Sequence, residues 1–150
     1  FSGVDLSYTN PQTNRKFVPH VIEPAVGVNR LFLMVLCDAY WFDEVKQRAV
    51  LKLNPALAPY KAAIFPLVGN KLEIVEKARA IYDMVREDRL VAWDDRGNIG
   101  KRYMAQDEIG TPLCVTIDYQ TLEDNTVTVR SRDTAEQVRV SVDALKGMIA

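Results

Sequence analysis

The sequence predicts an α/β fold in which parallel strands joined by helices are extended by an antiparallel hairpin. Three observations lead there. Between residues 61 and 117, strand-like and helical segments alternate as strand, helix, strand, helix, strand, the order that gives parallel pairing through right-handed crossovers. Within the first helical segment Ile74, Ala78, Ile81 and Val85 recur at helical spacing, with Lys77 and Arg79 on other faces, so one apolar stripe packs on the sheet. After Asp118 the apolar period changes to two. Residues 126–130 alternate, 131–134 turn and 136–140 alternate again, which reads as a hairpin added to the sheet.

Residues 1–43 read as two short strands around a turn at Asn10-Pro11, then a strand over 17–23, then a helix over 28–42. The run 31–37, bounded by Arg30 and Asp38, is apolar on nearly every side but far short of the about 20 residues a bilayer span needs. It is expected to be a buried helix, and such a helix is normally covered by other elements. Residues 1–43 cannot supply that cover, which implies a larger domain upstream. The chain opens on Phe1, with no basic stretch ahead of an apolar one as in a signal peptide, and is expected to be cut from something longer.

Residues 44–59 carry mixed charges, a short Val50-Leu51-Lys52-Leu53 run, and prolines at 55 and 59, which suits a connection between domains. A second unit is expected over 60–150. Its first strand, 61–68, has Pro66 near the end, predicting a bend or an edge position. Asn70 is placed to N-cap the helix over 71–86, with Glu73 completing a capping box. A strand over 90–93, a helix over 99–109 and a strand over 113–117 follow. Beyond the hairpin, Ser141 can cap a last helix reaching Ile149.

The formal net charge of −1 excludes a globally basic nucleic-acid binder, so any recognition of RNA must come from a local patch and from base contacts. Cys37 and Cys114 lie far apart in apolar surroundings without metal-ligand spacing; they read as buried thiols, and no metal site is expected. His20, the single histidine, has no evident partner, which argues against a Ser-His or Cys-His nucleophile.

The stretch 94–118 places charges against the rules for an isolated helix. Gly100, Gly110 and Pro112 punctuate a short helix with Lys101 and Arg102 at its start and Asp107 and Glu108 at its end. The macrodipole disfavours each by about 0.3 to 1 kcal/mol, and local rules tend to be broken where function demands it. A phosphate loop is excluded, because Asp95 stands where a glycine is required and Arg102 where Ser or Thr is required. A dinucleotide fingerprint is excluded because Gly97 and Gly100 lack the paired spacing.

What remains is a Gly97-Asn98 turn feeding a helix start with unpaired N–H groups and two cations, which can hold a phosphate or a base edge. Around it stand Asp94 and Asp95 at a strand's carboxyl end and the residues from Asp107 to Thr111 leaving the helix. So mixed a set of donors and acceptors suits the base edges of single-stranded RNA. Trp93 and Tyr103 are either stacking surfaces or core.

A second constellation spans His20 to Arg30. Glu23 precedes Pro24, Gly27 permits a sharp turn, and Arg30 opens the apolar helix. Arg30 can stack on a purine and meet a phosphate while Glu23 accepts from an amine, or the two form an internal ion pair.

At these two stretches the chain resembles the C-terminal part of the dimeric class II glycyl-tRNA synthetases. VPHVIEPAVGVNRLFLMVLCDAY is similar to the third signature motif of the class II catalytic domain and the helix behind it. LNPALAPYKAAIFPLV, DDRGNIGKRY, QDEIGTPLCVTIDY and TVTVRSRDTAEQVRV are similar to the family's anticodon-binding domain. The resemblance implies a mixed sheet of about five strands flanked by helices, preceded by a C-terminal piece of an antiparallel catalytic domain at 1–43.

It also implies the activity: glycine is activated with Mg-ATP and transferred to its tRNA by a cytoplasmic homodimer, with no membrane or DNA partner. This fragment alone is not expected to be active. Carried over, Arg30 holds ATP, and Glu23 and Ala25 lie at the glycine pocket. Asp95, Arg96, Lys101, Arg102, Asp107, Glu108 and Thr111 meet the anticodon. Two departures stand out. Ala25 replaces a serine and so lacks a hydroxyl beside the amino-acid pocket, and Asn29 replaces an aspartate that the family itself varies. The competing reading is a non-catalytic relative, such as the accessory subunit of a DNA polymerase, for which Ala25 is the local support. A nucleotide-binding α/β module with its own chemistry is the third.

Overall fold

The computed structural model describes residues 3–149. They form two compact units that divide between Leu31 and Phe32.

In the first unit β1 (Tyr8–Thr9) and β2 (Lys16–Phe17) pair antiparallel, with Tyr8 edge-on to Phe17 at 5.9 Å. The expected turn is present: the Asn10 side chain accepts from the backbone N–H of Gln12 and Thr13. The expected strand over 17–23 is not. Past Phe17 the backbone has no regular structure until Val28, and Val21 and Ile22 are exposed. Pro19 and Pro24 offer no N–H to a ladder, so this stretch cannot form a regular strand on its own.

Helix α1 (Val28–Ala39) opens where the Gly27 carbonyl accepts from Arg30 and Leu31. It stops short of Phe42 because residues 40–43 leave it as β3 (Tyr40–Asp43). Its apolar run is uncovered among the described residues. Phe32 and Met34 are exposed, and Cys37, expected to be buried, is exposed with them.

In the second unit β3 pairs antiparallel with β4 (Arg48–Leu51), from Tyr40 opposite Leu51 to Asp43 opposite Arg48. The stretch read as a connection thus contains a strand, and Val50 and Leu53 within it are buried. Beyond it the Lys61 ammonium donates to the carbonyls of Pro55, Ala56 and Ala58, fixing the turn that leads into the main sheet.

That sheet has five strands, β5 (Ala62–Pro66), β6 (Val91–Trp93), β7 (Leu113–Ile117), β8 (Thr126–Ser131) and β9 (Gln137–Ser141), in the order β6-β5-β7-β8-β9. β5 runs parallel to both β6 and β7, and β8 and β9 add antiparallel, as the alternation of elements and the change of period predict. Pro66 ends a central strand and does not sit at an edge. At the last ladder position its missing N–H removes little pairing.

Helices α2 (Leu72–Arg86) and α5 (Val142–Met148) cover one face of the sheet. Ile74, Ala78, Ile81 and Val85 pack there with Ala62, Ile64, Val115, Ile117, Val127 and Val129. Each fully buried aliphatic chain contributes about 1.5 to 3 kcal/mol. α2 starts one residue later than expected, so Lys71, which has no acceptor side chain, holds the N-cap position and Asn70 does not cap. Ser141 does cap α5, accepting from the N–H of Ala144.

Helix α3 (Ile99–Ile109) covers the other face, which is different in kind: Ala63, Phe65 and Cys114 share it with Thr116 and Arg130. α3 matches this polarity by burying Arg102, Gln106 and Asp107 while exposing much of Met104 and Ile109. Burial among these groups pushes the Cys114 thiol up to about 12, so it stays protonated at neutral pH.

The remaining helix, α4 (Tyr119–Asp124), follows β7 directly and has no counterpart in the sequence expectations. Asp118 caps it reciprocally with Thr121, accepting from the Thr121 N–H while the Thr121 hydroxyl accepts from the Asp118 N–H. The Asp118 carboxylate also takes Arg139 from β9 at 2.7 Å. Partial burial pushes this carboxyl up, but Arg139 and Thr121 outweigh it and hold it below the usual range. A carboxyl depressed by folding stabilises above its unfolded pKa and loses that contribution as pH falls through the folded one.

Asp118→Asn keeps a capping side chain but removes the charge. Its thermal midpoint therefore falls less steeply than the parent's as pH drops below about 4. Parallel midpoint curves for the two proteins would contradict the assignment.

Candidate nucleic-acid interface

In open α/β sheets ligands gather beyond the carboxyl ends of the parallel strands. At that end of β6 the chain makes the loop 94–98 and enters α3. The Asp94 carboxylate accepts from the Arg96 N–H at 3.0 Å and from its Nε at 3.5 Å, which folds the loop back on itself. Asn98 caps α3 by accepting from the Lys101 N–H at 2.9 Å. Asp95, Arg96 and Lys101 are exposed on this edge, so the loop presents a carboxylate, a guanidinium and an ammonium together.

Arg102 sits in the same turn but faces inward, only 3 % exposed. Its guanidinium donates to the carbonyls of Pro66, Asp94 and Leu67 at 2.7, 3.1 and 3.2 Å, across the ring of Phe65. Burial draws its pKa down, opposed by Asp94 and Asp95. Arg102 therefore fastens the ends of β5 and β6 and does not present itself to a ligand. Gly69 reinforces the junction: a Cβ there would lie 2.8 Å from the Asp95 carbonyl oxygen, so only glycine lets the two loops approach so closely.

The other expected residues lie toward the far end of α3. Glu108 is exposed but about seven residues, or roughly 10 Å, along the helix from Lys101. Asp107 is fully buried and receives three guanidinium bonds. Arg130 of β8 donates to both its oxygens at 2.8 and 2.9 Å, and Arg48 of β4 donates to one, while also reaching Asp43 at 3.4 Å. Burial works against the Arg130 charge, but Asp107 more than offsets this and keeps it ionised. Thr111 is buried, its hydroxyl donating to Gln106 Oε1 at 2.6 Å. Asp107 and Thr111 are thus internal partners and not ligand contacts, since an ion pair closed inside the core cannot reach RNA.

Next to them the chain turns out of α3 through Gly110, whose φ of 83° is left-handed. A Cβ there would lie 2.9 Å from both the Leu51 carbonyl oxygen and the Leu53 side chain. Arg132 spans the same junction, donating to the carbonyls of Gly110 and Leu53 at 2.8 and 2.9 Å.

Neither aromatic is a free stacking surface. Tyr103 packs on Phe65, shares a 2.6 Å hydrogen bond with the Thr116 hydroxyl, and lies under Arg130. Trp93 is covered on one face by Arg79, its guanidinium carbon 3.8 Å from the ring centroid, and donates its indole N–H to Asp95 at 3.3 Å. Arg79 was not among the expected site residues. Its one sequence signal was a place off the apolar stripe of α2.

In the first unit Glu23, Ala25 and Arg30 are all exposed, and neither Glu23 nor Arg30 has an ion-pair partner among the described residues. The internal ion pair weighed for them is not formed. Among the described residues no group of three or more His, Cys, Asp or Glu side chains could hold a metal ion, and no helix is long and apolar enough to cross a membrane.

A five-stranded mixed sheet with helices on both faces, and a polar loop beyond its parallel strand ends, defines an open α/β module of the ligand-binding kind. The chain belongs to the anticodon binding domain family, whose profile matches residues 61–150. It is 51 % identical over 147 residues to the glycine–tRNA ligase of Clostridium tetani, covering 96 % of this chain and 31 % of that protein. It is 50 % identical over 151 residues to that of Clostridium kluyveri, covering 99 % and 32 %, and 49 % identical over 150 residues to that of Bacillus anthracis, with the same coverage. The chain spans about a third of the length of these curated relatives.

Proposed function

We propose that this chain is the tRNA-reading portion of a glycine–tRNA ligase, with residues 60–150 as the anticodon-binding domain and 1–43 as the end of the catalytic domain, joined through 44–59. The observation that carries the reading is the exposed set Asp95, Arg96 and Lys101 at one sheet end of an anticodon-binding domain. An exposed carboxylate accepts from base amines, and the two cations donate to base edges or phosphates. Glu108, exposed farther along α3, extends the contact surface. The names of the relatives support glycine as the amino acid and a ligase over a non-catalytic accessory protein.

In the parent protein Arg30 binds a phosphate of Mg-ATP, for which a planar fork without an acidic partner is suited. Bound ATP supplies the leaving group that activates the glycine carboxylate, and Glu23 beside Ala25 accepts from the glycine ammonium. We place the parent in the cytoplasm as a homodimer.

The test compares a glycine tRNA with the same tRNA carrying a swapped anticodon at one fixed salt concentration, since phosphate contacts alone vary steeply with salt. The unaltered tRNA binds more tightly; equal binding overturns the reading. Lys101→Ala weakens that binding while leaving the thermal midpoint unchanged or raised, because it removes a cation from a helix N-terminus.

A further inference from the structure

β6 is one of the two edges of the main sheet, and α2 lays Arg79 over its Trp93. Arg86 pairs with Asp83 at 3.1 Å. That pairing occupies the carboxylate four residues after Arg79, its natural helical partner. Arg79 instead lies over the Trp93 ring, its guanidinium carbon 3.8 Å from the centroid, with Tyr82 edge-on to the same indole at 5.6 Å, and it has no ion-pair partner among the described residues. A guanidinium held on an indole keeps its N–H edges free, and its planar fork matches a phosphate.

The same indole donates to Asp95 at 3.3 Å, which ties Arg79 to the loop 94–98. A carboxylate that reads a base repels the backbone carrying that base, and a fixed cation beside it offsets the repulsion.

From this we infer that Arg79 binds a backbone phosphate of the RNA strand that meets the loop 94–98, so that the RNA-contacting surface continues over the β6 edge onto α2. The inference rests on the tRNA-reading function proposed above. Arg79 supplies affinity and not sequence choice, because phosphates carry no sequence information.

The experiment is a salt titration of the full chain, with Arg79→Gln and Arg79→Lys variants, against the glycine tRNA and its anticodon-swapped form. Arg79→Gln reduces the slope of log affinity against log salt by about 0.7, the value for one single-strand phosphate contact. It weakens both RNAs equally and lowers the thermal midpoint by no more than a few degrees, since the side chain is exposed and loses only its contact with Trp93. Arg79→Lys keeps the charge and keeps the slope. An unchanged slope in Arg79→Gln, or an equal loss in Arg79→Lys, overturns the inference. If the parent fails to distinguish the two RNAs, the tRNA-reading proposal falls, while a slope change in Arg79→Gln still supports the phosphate contact.

Discussion

Asp107→Asn destabilises the second unit by about 3 to 5 kcal/mol, the usual cost of breaking a buried ion pair from one side. The carboxylate lies between Arg130 and Arg48, and all three side chains are almost completely shielded from water. With Asp43, which Arg48 also reaches, two shielded carboxylates offset two shielded guanidinium groups, so the intact cluster contributes little net stability. The variant, however, leaves Arg130 without a carboxylate and Arg48 with only its longer contact to Asp43, in a medium that cannot solvate the unpaired charge. Urea or thermal unfolding measures the effect, and on a unit of this size the midpoint falls on the order of 10 °C or more. Adding Arg130→Met to Asp107→Asn recovers part of the loss, because it removes one stranded charge. A loss under about 1 kcal/mol in Asp107→Asn would mean that the cluster is open to water.

Arg102→Ala is expected to cost about 3 kcal/mol or more, since three carbonyls at the ends of β5 and β6 lose a charged donor together and buried acceptors left unmade cost roughly 1 to 3 kcal/mol each. The adjacent Lys101→Ala is the internal control, for it removes the same formal charge one residue away without loss of stability. Parallel denaturation curves of the two variants decide the matter. Equal, small effects would show that the Arg102 bonds to the strand ends do not persist in solution. The helix dipole alone predicts the reverse for Arg102, a small gain on removing a cation from a helix start. Burial and hydrogen bonding of the guanidinium outweigh that gain.

These two residues also show what was legible in the sequence. The stripe of α2, the bounds of α3 and β7, and the parallel order of strands were readable because apolar period, glycine and proline all pointed the same way. The inward face of α3 was not. Arg102 and Gln106 lie four apart, as core positions do, but hydrophobic pattern is blind to a core made of ions and amides. Its counterpart is the polar face of β8 that includes Thr128 and Arg130, where alternation alone does not distinguish a polar core from solvent.

The hairpin of β3 and β4 was hidden because Tyr40-Trp41-Phe42 continues an apolar run that reads as helix. α4 was hidden because six residues carry no period and only the Asp118 and Thr121 cap announces it. Of the candidate site, the exposed loop was legible from charge and glycine spacing. The misplaced charges of α3 split into two kinds, those aimed outward at Lys101 and Glu108 and those that hold the helix to its sheet.

The junction where Arg132 bridges Gly110 and Leu53 has a consequence for where this module begins. The family profile starts at residue 61, yet Leu51 and Leu53 lie against Gly110, and Arg48 reaches the buried Asp107. A cut at residue 60 would uncover the end of α3, strand one arm of Arg132 and remove one of the two guanidinium partners of Asp107. The start of the family profile and the mechanical boundary therefore do not coincide. The stretch that the family profile spans is shorter than the piece that packing and ion pairs hold together.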